Sequence, residues 1–496
     1  MQGDETTPRL VLVDAGATAL DREPRSPARA RFGEPAAQLL AKLFLFWRVI
    51  ESIEVCARRS NRDVSFPSSK AAKTLQNPRL ARWLLALLVC ATFHPSVLRA
   101  DASPVGLSEI VGTMLKPLLK HPTSSLRVYA FQKGVAVAIP FQIDERDTRD
   151  HWANDEGDQP VRDDSPGQLD ENDVVAFMNR DLGAKGDSKK LPTGAATWFE
   201  VRVGPHDAPL GYVYVGAFDS PPPLADKEAG ARYDIARDEV FAERYYVHFG
   251  GPLPDRLDLV HRRGERGTNV LNGVRARGKA TILGVFHIER GDKDLRYTLQ
   301  GGRNGPLRAI RSAKYWIPLP LGFKARGRAE LIFYADSVEA RAHVNVKIPP
   351  RLLPADGEIL AYFDFHDLRG ARVLTPDGVL DEIIDGKMSE KKIALATKRM
   401  RWAALLLPDG RAFLLAVRLG GSLQRLDQQL YFDDSDDPTR GKPSFGFRLT
   451  GVNRLDTGEQ EMSVSAMILD TVSPTEITAA ANALLATPEV SATELP

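Results

Sequence analysis

Residues 338–348 read VEARAHVNVKI, with every even position apolar (Val338, Ala340, Ala342, Val344, Val346, Ile348) and every odd one polar (Glu339, Arg341, His343, Asn345, Lys347). A period of two is the signature of a pleated strand, because successive side chains point to opposite faces; a helix would smear the pattern around its circumference. The stretch predicts an antiparallel strand with its apolar face in a core and its polar face in water or a cleft.

Shorter runs of the same kind follow one another along the chain. Leu126–Phe131 and Val135–Ile143 read as a hairpin around Lys133-Gly134, followed by Val174–Met178, Thr197–Val203, Leu210–Phe218, Tyr245–Phe249, Arg256–His261 and Leu307–Ile317. Beyond the alternating strand lie Ile359–Phe365, Trp402–Leu407 joined to Ala412–Leu419 by Pro408-Asp409-Gly410, Leu430–Phe432, Phe445–Leu449 and Met462–Leu469. Helical patterns are confined to Leu107–Leu119, which Pro117 interrupts, a short piece within Ala225–Glu243, Ser389–Ala396, and Thr475–Ala486 with Pro474 at its start. So few crossover helices argue against a parallel sheet, and no period of 20 to 50 residues marks a propeller or solenoid. The expected fold is all-β: a large antiparallel β-sandwich, supersandwich-like, with few short helices.

The organisation expected is a leader over 1–78, a signal peptide over 79–100, an N-terminal β region with an acidic loop over 101–220, the main β-sandwich over 221–470, and a C-terminal helix and tail over 471–496. Arg79 and Arg82 precede an apolar run from Trp83 to Phe93, and Val97-Leu98-Arg99-Ala100 offers a cleavage site. This three-part plan predicts export, cleavage after Ala100 and a periplasmic or extracellular protein with no stable transmembrane helix. Two other readings stand beside it: a lipoprotein cysteine at Cys90, although Val89 is bulky for such a site, and a buried helix of a cytoplasmic protein. The leader is Pro/Arg/Ala-rich and holds an apolar segment, Ala36–Val55; it is either a product of a start set upstream of the true one or a membrane-associated extension.

The net charge of +1 conceals an asymmetry, since residues 1–100 carry +6 and leave −5 on residues 101–496. A mildly acidic body gives no footprint for nucleic acid, and none is expected as a partner. Both cysteines, Cys56 and Cys90, precede residue 101, so the body has no disulfide framework, thiolate metal site or cysteine nucleophile.

Between Asp144 and Asp181 stand thirteen acids against four arginines, with no lysine. Oxygen ligands at this density suit calcium: Asp170, Asn172 and Asp173 lie close in sequence, and Asp144 or Glu145 completes the set if the flanking strands pair. The ordered loop of an EF-hand is absent, and a loop kept soluble by its charge is the other reading. A pair of these carboxylates acting as glycosidase acid and base is a further option, which rests on a separation that sequence does not give.

The opposite sign collects between Arg303 and Arg328, where Arg303, Arg308, Arg311, Lys314, Lys324, Arg326 and Arg328 interleave with Tyr315, Trp316 and Phe323. Aromatic faces stack on sugar rings, and guanidinium groups pair with uronates or sulfates. The candidate carbohydrate-binding residues are therefore Arg308, Arg311, Tyr315, Trp316, Arg341 and His343. The alternative is that these basic strands neutralise the acidic loop. No HExxH, GxSxG, Walker or Rossmann motif occurs in the body, and no catalytic residue is assigned.

Three segments, IPFQIDERD at 139–147 with LDENDVVAFMNRDLG at 169–183, NGPLRAIRS at 304–312, and LYFDDSDDPTRGKPSFGFRLTGVNRLDTGEQ at 430–460, are similar to a set of secreted bacterial proteins of largely unassigned function. Their body resembles the galactose mutarotase-like β-supersandwich. The resemblance implies a sugar-handling context and, for an enzyme, a carbohydrate-active lyase, hydrolase or epimerase. Mutarotases resemble one another in a His and Glu pair that shuttles a proton about the sugar ring, and no histidine here maps onto it from sequence. Two functions follow as expectations: a secreted protein that binds or processes carbohydrate, including acidic polysaccharide, or a non-enzymatic envelope protein with a structural or interaction role.

Overall fold

The computed structural model describes residues 106–154, 156–225, 230–260, 264–282, 286–318, 324–347, 355–435, 443–470 and 473–496. The leader, the signal segment with its cleavage site, both cysteines, His261 and Phe323 lie outside the described residues. The N-terminal strands are β1 (Leu107–Val111), β2 (Leu126–Gln132), β3 (Val135–Ala138), β4 (Phe141–Asp144), β5 (Val174–Met178), β6 (Ala195–Val203) and β7 (Gly211–Phe218). A small meander follows, β8 (Ala231–Asp234), β9 (Glu239–Ala242), β10 (Tyr245–His248), β11 (Arg256–Leu259) and β12 (Thr268–Asn269). The longest strands come next: β13 (Leu271–Ile282), β14 (Phe286–Gly291), β15 (Arg296–Asn304), β16 (Ala309–Pro318), β17 (Lys324–Phe333), β18 (Ser337–Val346) and β19 (Glu358–Phe365). The chain ends with β20 (Arg372–Thr375), β21 (Gly378–Ile383), helix α1 (Glu390–Leu395), β22 (Trp402–Leu406), β23 (Ala412–Leu419), β24 (Asp427–Asp433), β25 (Ser444–Thr450), β26 (Gly458–Leu469), helix α2 (Pro474–Leu485) and β27 (Val490–Glu494).

These strands form five antiparallel sheets, as the alternation predicts. The organising layer is a nine-stranded sheet in the order β15-β16-β17-β18-β26-β23-β22-β20-β21. Against one face stand the five-stranded sheet β14-β13-β19-β25-β24 and the meander, enclosing a core that includes Phe333, Phe365, Phe413, Phe445 and Phe447. On the opposite face α2 seals Leu414, Ala416 and Met467 with Ile477, Ala480 and Ala481. Both faces of β23 are thereby covered, and its sequence is correspondingly apolar at nearly every position. The predicted start of α2 is confirmed by a capping box, Ser473 with Glu476, and by Pro474 in the first turn. Among the described residues no helix is long and apolar enough to cross a membrane.

Three local expectations are corrected. Val135–Ile143 is two strands in two sheets, because Pro140 has no N–H for a ladder and turns the chain between β3 and β4. Leu107–Leu119 opens as β1, paired with β5, and continues as 3-10 turns around Pro117. In Ala225–Glu243 the described residues form the β8–β9 hairpin and not a helix. On β18 the expected sidedness holds, with Val338 packed on the core and His343 and Asn345 at a cleft, while two positions depart from it. Glu339 is 9% exposed and Val344 38%.

Candidate functional site

The alternation of β16, β17 and β18 places Arg308, Lys314 and Trp316, then Arg326, Arg328 and Glu330, then Glu339, Arg341, His343 and Asn345 on one face of the nine-stranded sheet. One end of that face is covered by the N-terminal strands and the acidic loop; the other is open.

At the covered end the acidic loop is clamped by arginine. Arg308 is fully buried, donates from Nε to Asp144 (2.9 Å) and from Nη1 to Glu109 (2.6 Å), and its guanidinium lies 4.8 Å from the centre of the Trp152 ring. Arg341 donates to Glu109 (3.3 Å) and Glu339 (3.1 Å), while Arg146 sits 4.2 Å from the Trp152 ring centre. Burial raises the pKa of Glu109, but Arg308 and Arg341 outweigh it and hold the carboxyl at about 2. The loop approaches β15 so closely that a Cβ on Gly301 would stand 2.1 Å from the Glu156 carbonyl oxygen, so only glycine fits.

At the open end a concavity of about 460 Å³ is bordered by Lys314, Trp316, Arg326, Arg328, His343 and Asn345, with Gln159 of the acidic loop at its edge. His343 lies between two carboxylates, with Nε2 3.6 Å from Glu330 and Nδ1 3.6 Å from Glu459. Burial pushes the His343 imidazole below its ordinary pKa, and Arg328 adds to that, so the ring is neutral at pH 7. Burial pushes the Glu330 carboxyl up against the opposing pull of Arg328 and Arg341. Oε2 of Glu330 is buried without a hydrogen-bond partner among the described residues. A neutral imidazole beside a carboxyl of raised pKa is a pair suited to moving a proton.

The six sugar-site candidates separate in space. Trp316 and His343 share the open concavity, which Tyr315 also borders. The Tyr315 side chain, however, belongs to the opposite face, where it packs on Tyr297 and its hydroxyl donates to the Pro252 carbonyl (3.1 Å). Arg308 and Arg341 hold the acidic loop, and Arg311 is fully buried, with Nε and Nη2 each 2.7 Å from Asp238. The neutralisation of acidic loop by basic strand is thus present in Arg308 with Asp144 and in Arg303, 3.6 Å from Glu145.

The five calcium candidates do not converge. Asp144 accepts from Arg308 and Gln142, Glu145 accepts from the Gly167 N–H, and Asn172 donates to the Asp147 carbonyl. Asp173 accepts from the backbone N–H groups of Arg146 and Asp170, and burial pushes its carboxyl up to about 7. Among the described residues, the acids that do meet are Asp163, Asp164 and Asp170, with carboxylate oxygens within 4.8 Å of one another. Burial, then Asp170 and Glu145, push Asp163 up to about 6. Oxygen donors gathered this way have the chemistry of a hard-cation site.

Glu330 and Trp152 are the residues that sequence reading missed. The signal for Glu330 was a single acid within KARGRAELIF, a run otherwise basic or apolar.

No protein-family model matches the chain, and no curated protein sequence does. Among solved structures the chain is similar to a quadruple mutant of the α-N-acetylgalactosaminidase NagBb from Bifidobacterium bifidum, at 12% identity and a TM-score of 0.30, over 51% of this chain and 37% of that one. It is similar also to the Slr1438 protein from Synechocystis sp. PCC 6803, at 9% identity and a TM-score of 0.29, over 51% of this chain and all of that one. A variant glycoside hydrolase family 97 enzyme from Pseudoalteromonas sp. strain K8 matches at 8% identity and a TM-score of 0.26, over 48% and 35%. This chain therefore spans little more than a third of the length of the two glycosidases. At such TM-scores the likeness carries no argument about this protein's activity.

Proposed function

We propose that this is an exported protein whose open sheet face binds carbohydrate, with acidic polysaccharide as the favoured class. The observation that carries the reading is Trp316 in one concavity with Lys314, Arg326 and Arg328. An indole face supplies stacking area for a sugar ring, and three cations beside it suit carboxylate or sulfate substituents. The Glu330–His343 pair gives the same concavity a group able to abstract or return a proton, which is the chemistry of a lyase or an epimerase. Binding to an array of neutral and acidic glycans tests this. Retention of uronate or sulfate glycans, lost at least tenfold in Trp316→Ala, is the expected result. Binding to no glycan would overturn it and leave the envelope interaction protein as the reading.

A further inference from the structure

The other face of the same sheet encloses a second space of different chemistry. Between β18 and β26 on one side and β13, β19 and β25 on the other runs a cavity of about 440 Å³. Val338, Ala340, Ala342 and Val344 line it at successive inward positions of β18, and Ile359, Ala361 and Phe363 oppose them from β19. Four inward positions spaced two residues apart extend roughly 20 Å at ~3.3 Å per residue. The space is therefore long. Its deep end is stopped by Phe413 and Phe363, whose rings meet edge to face. Its far end carries Val344 and Ile359, aliphatic side chains each 38% exposed.

Tyr245, Tyr315, Arg275 and Asp336, polar residues that border the cavity, are each held by other groups of the protein. The hydroxyl of Tyr245 lies 2.9 Å from the Tyr334 carbonyl and 2.7 Å from that of Ser337, and the hydroxyl of Tyr315 binds the Pro252 carbonyl. Arg275 is held by Asp364 and Asp292, and Asp336 accepts from the Ser337 hydroxyl. A sugar ring placed here would lose its water and gain few hydrogen bonds, a costly exchange. Close-packed interiors do not leave voids of this size, and an engineered cavity of about 150 Å³ lined by Leu, Ile and Phe already binds benzene.

We infer that the inter-sheet cavity is a binding site for one long unbranched acyl chain, a ligand class separate from the glycan of the opposite face. A hydrocarbon chain matches the length and the apolar lining, and the exposure of Val344 follows from it, because Val344 faces the ligand path.

Displacement of cis-parinaric acid from the whole protein tests this, with palmitate and a palmitoyl lysophospholipid as competitors. The expected result is saturable displacement at one equivalent by at least one of them, weakening about fourfold for each methylene removed from the chain. Which competitor binds identifies the head group that the entrance accepts. Ala342→Trp and Ala361→Trp, which fill the bore from opposite sheets, should each weaken binding at least tenfold and leave the melting temperature unchanged or raised. The inference is overturned if the wild-type protein takes up neither probe nor competitor, if affinity is indifferent to chain length, or if folded Trp variants bind as the wild type does. The chain-length series needs no variant and decides the matter should either substitution prevent folding.

Discussion

Nε2 of His343 lies 3.6 Å from the Glu330 carboxylate across adjacent strands, and burial drives their pKa values toward each other, the imidazole down and the carboxyl up. Each group is thereby disfavoured in its charged form. For Glu330 the folded state holds its proton to higher pH than the unfolded chain, so its contribution to stability falls as pH rises above the ordinary glutamate range. Glu330→Gln should raise the melting temperature at pH 8 by roughly 2 °C and change it little at pH 4. His343 contributes the reverse slope: stability is lost as pH falls below about 6.5, where the unfolded histidine takes up its proton. Thermal melts of Glu330→Gln and His343→Gln across pH 4 to 8 measure the two slopes. If the concavity is catalytic, both variants keep glycan binding and lose turnover, which separates proton transfer from adhesion.

Arg308 joins the acidic loop to the sheet, and Asp144 at its far end is fully buried. Removal of one partner of such a pair leaves an uncompensated charge inside the protein, which costs about 3–5 kcal/mol. Arg308→Ala should lower the unfolding free energy obtained from urea melts by that amount, and Arg308→Lys should recover only part of it, because a single ammonium cannot reach Asp144 and Glu109 with the same geometry. Acid should act through the same contact. Glu109 is held at about 2, so the stability it provides is present above an ordinary glutamate pKa and disappears as pH falls from about 4.5 toward 2.

Export predicts a mature protein that begins near Asp101. Edman sequencing or intact mass of protein from its native host reads this directly, and a chain that still begins at Met1 contradicts the export reading.

What the sequence made legible was periodicity. The alternation in 338–348 identified β18, the Asp-Gly turn identified β22 with β23, and together they gave the antiparallel all-β class. The sheltering of the polar face was not legible, because alternation tells that two faces differ but not what covers them: Arg341 is held by Glu109, more than 200 residues earlier, and Glu339 by Arg418 and Ser463, further along the chain. Strands β13, β15 and β17 escaped for a related reason. Their charged and glycine-interrupted runs, such as LNGVRARGKATI, face a cavity or other charged strands rather than an ordinary core. In the candidate site, residue type was informative about chemistry but not about role. Trp316 and Arg308 belong to one basic-aromatic run and one sheet face, yet Trp316 borders the open concavity while Arg308 is a buried clamp.

The acidic loop supplies the last prediction. Asp163 at about 6 and Asp173 at about 7 both bind more protons in the folded protein than an unfolded aspartate does between about pH 4 and 7. Stability therefore falls as pH rises across that window. A divalent cation among Asp163, Asp164 and Asp170 would favour the ionised forms and reverse the slope. Calcium at about 1 mM, a concentration matched to extracellular sites, should raise the melting temperature at pH 7.5 by several degrees, and EDTA should return it. Asp163→Asn should remove the calcium response and also flatten the pH slope in its absence. A melting temperature indifferent to both calcium and EDTA would leave the cluster as a set of crowded carboxyls, and only the proton-linked slope would survive.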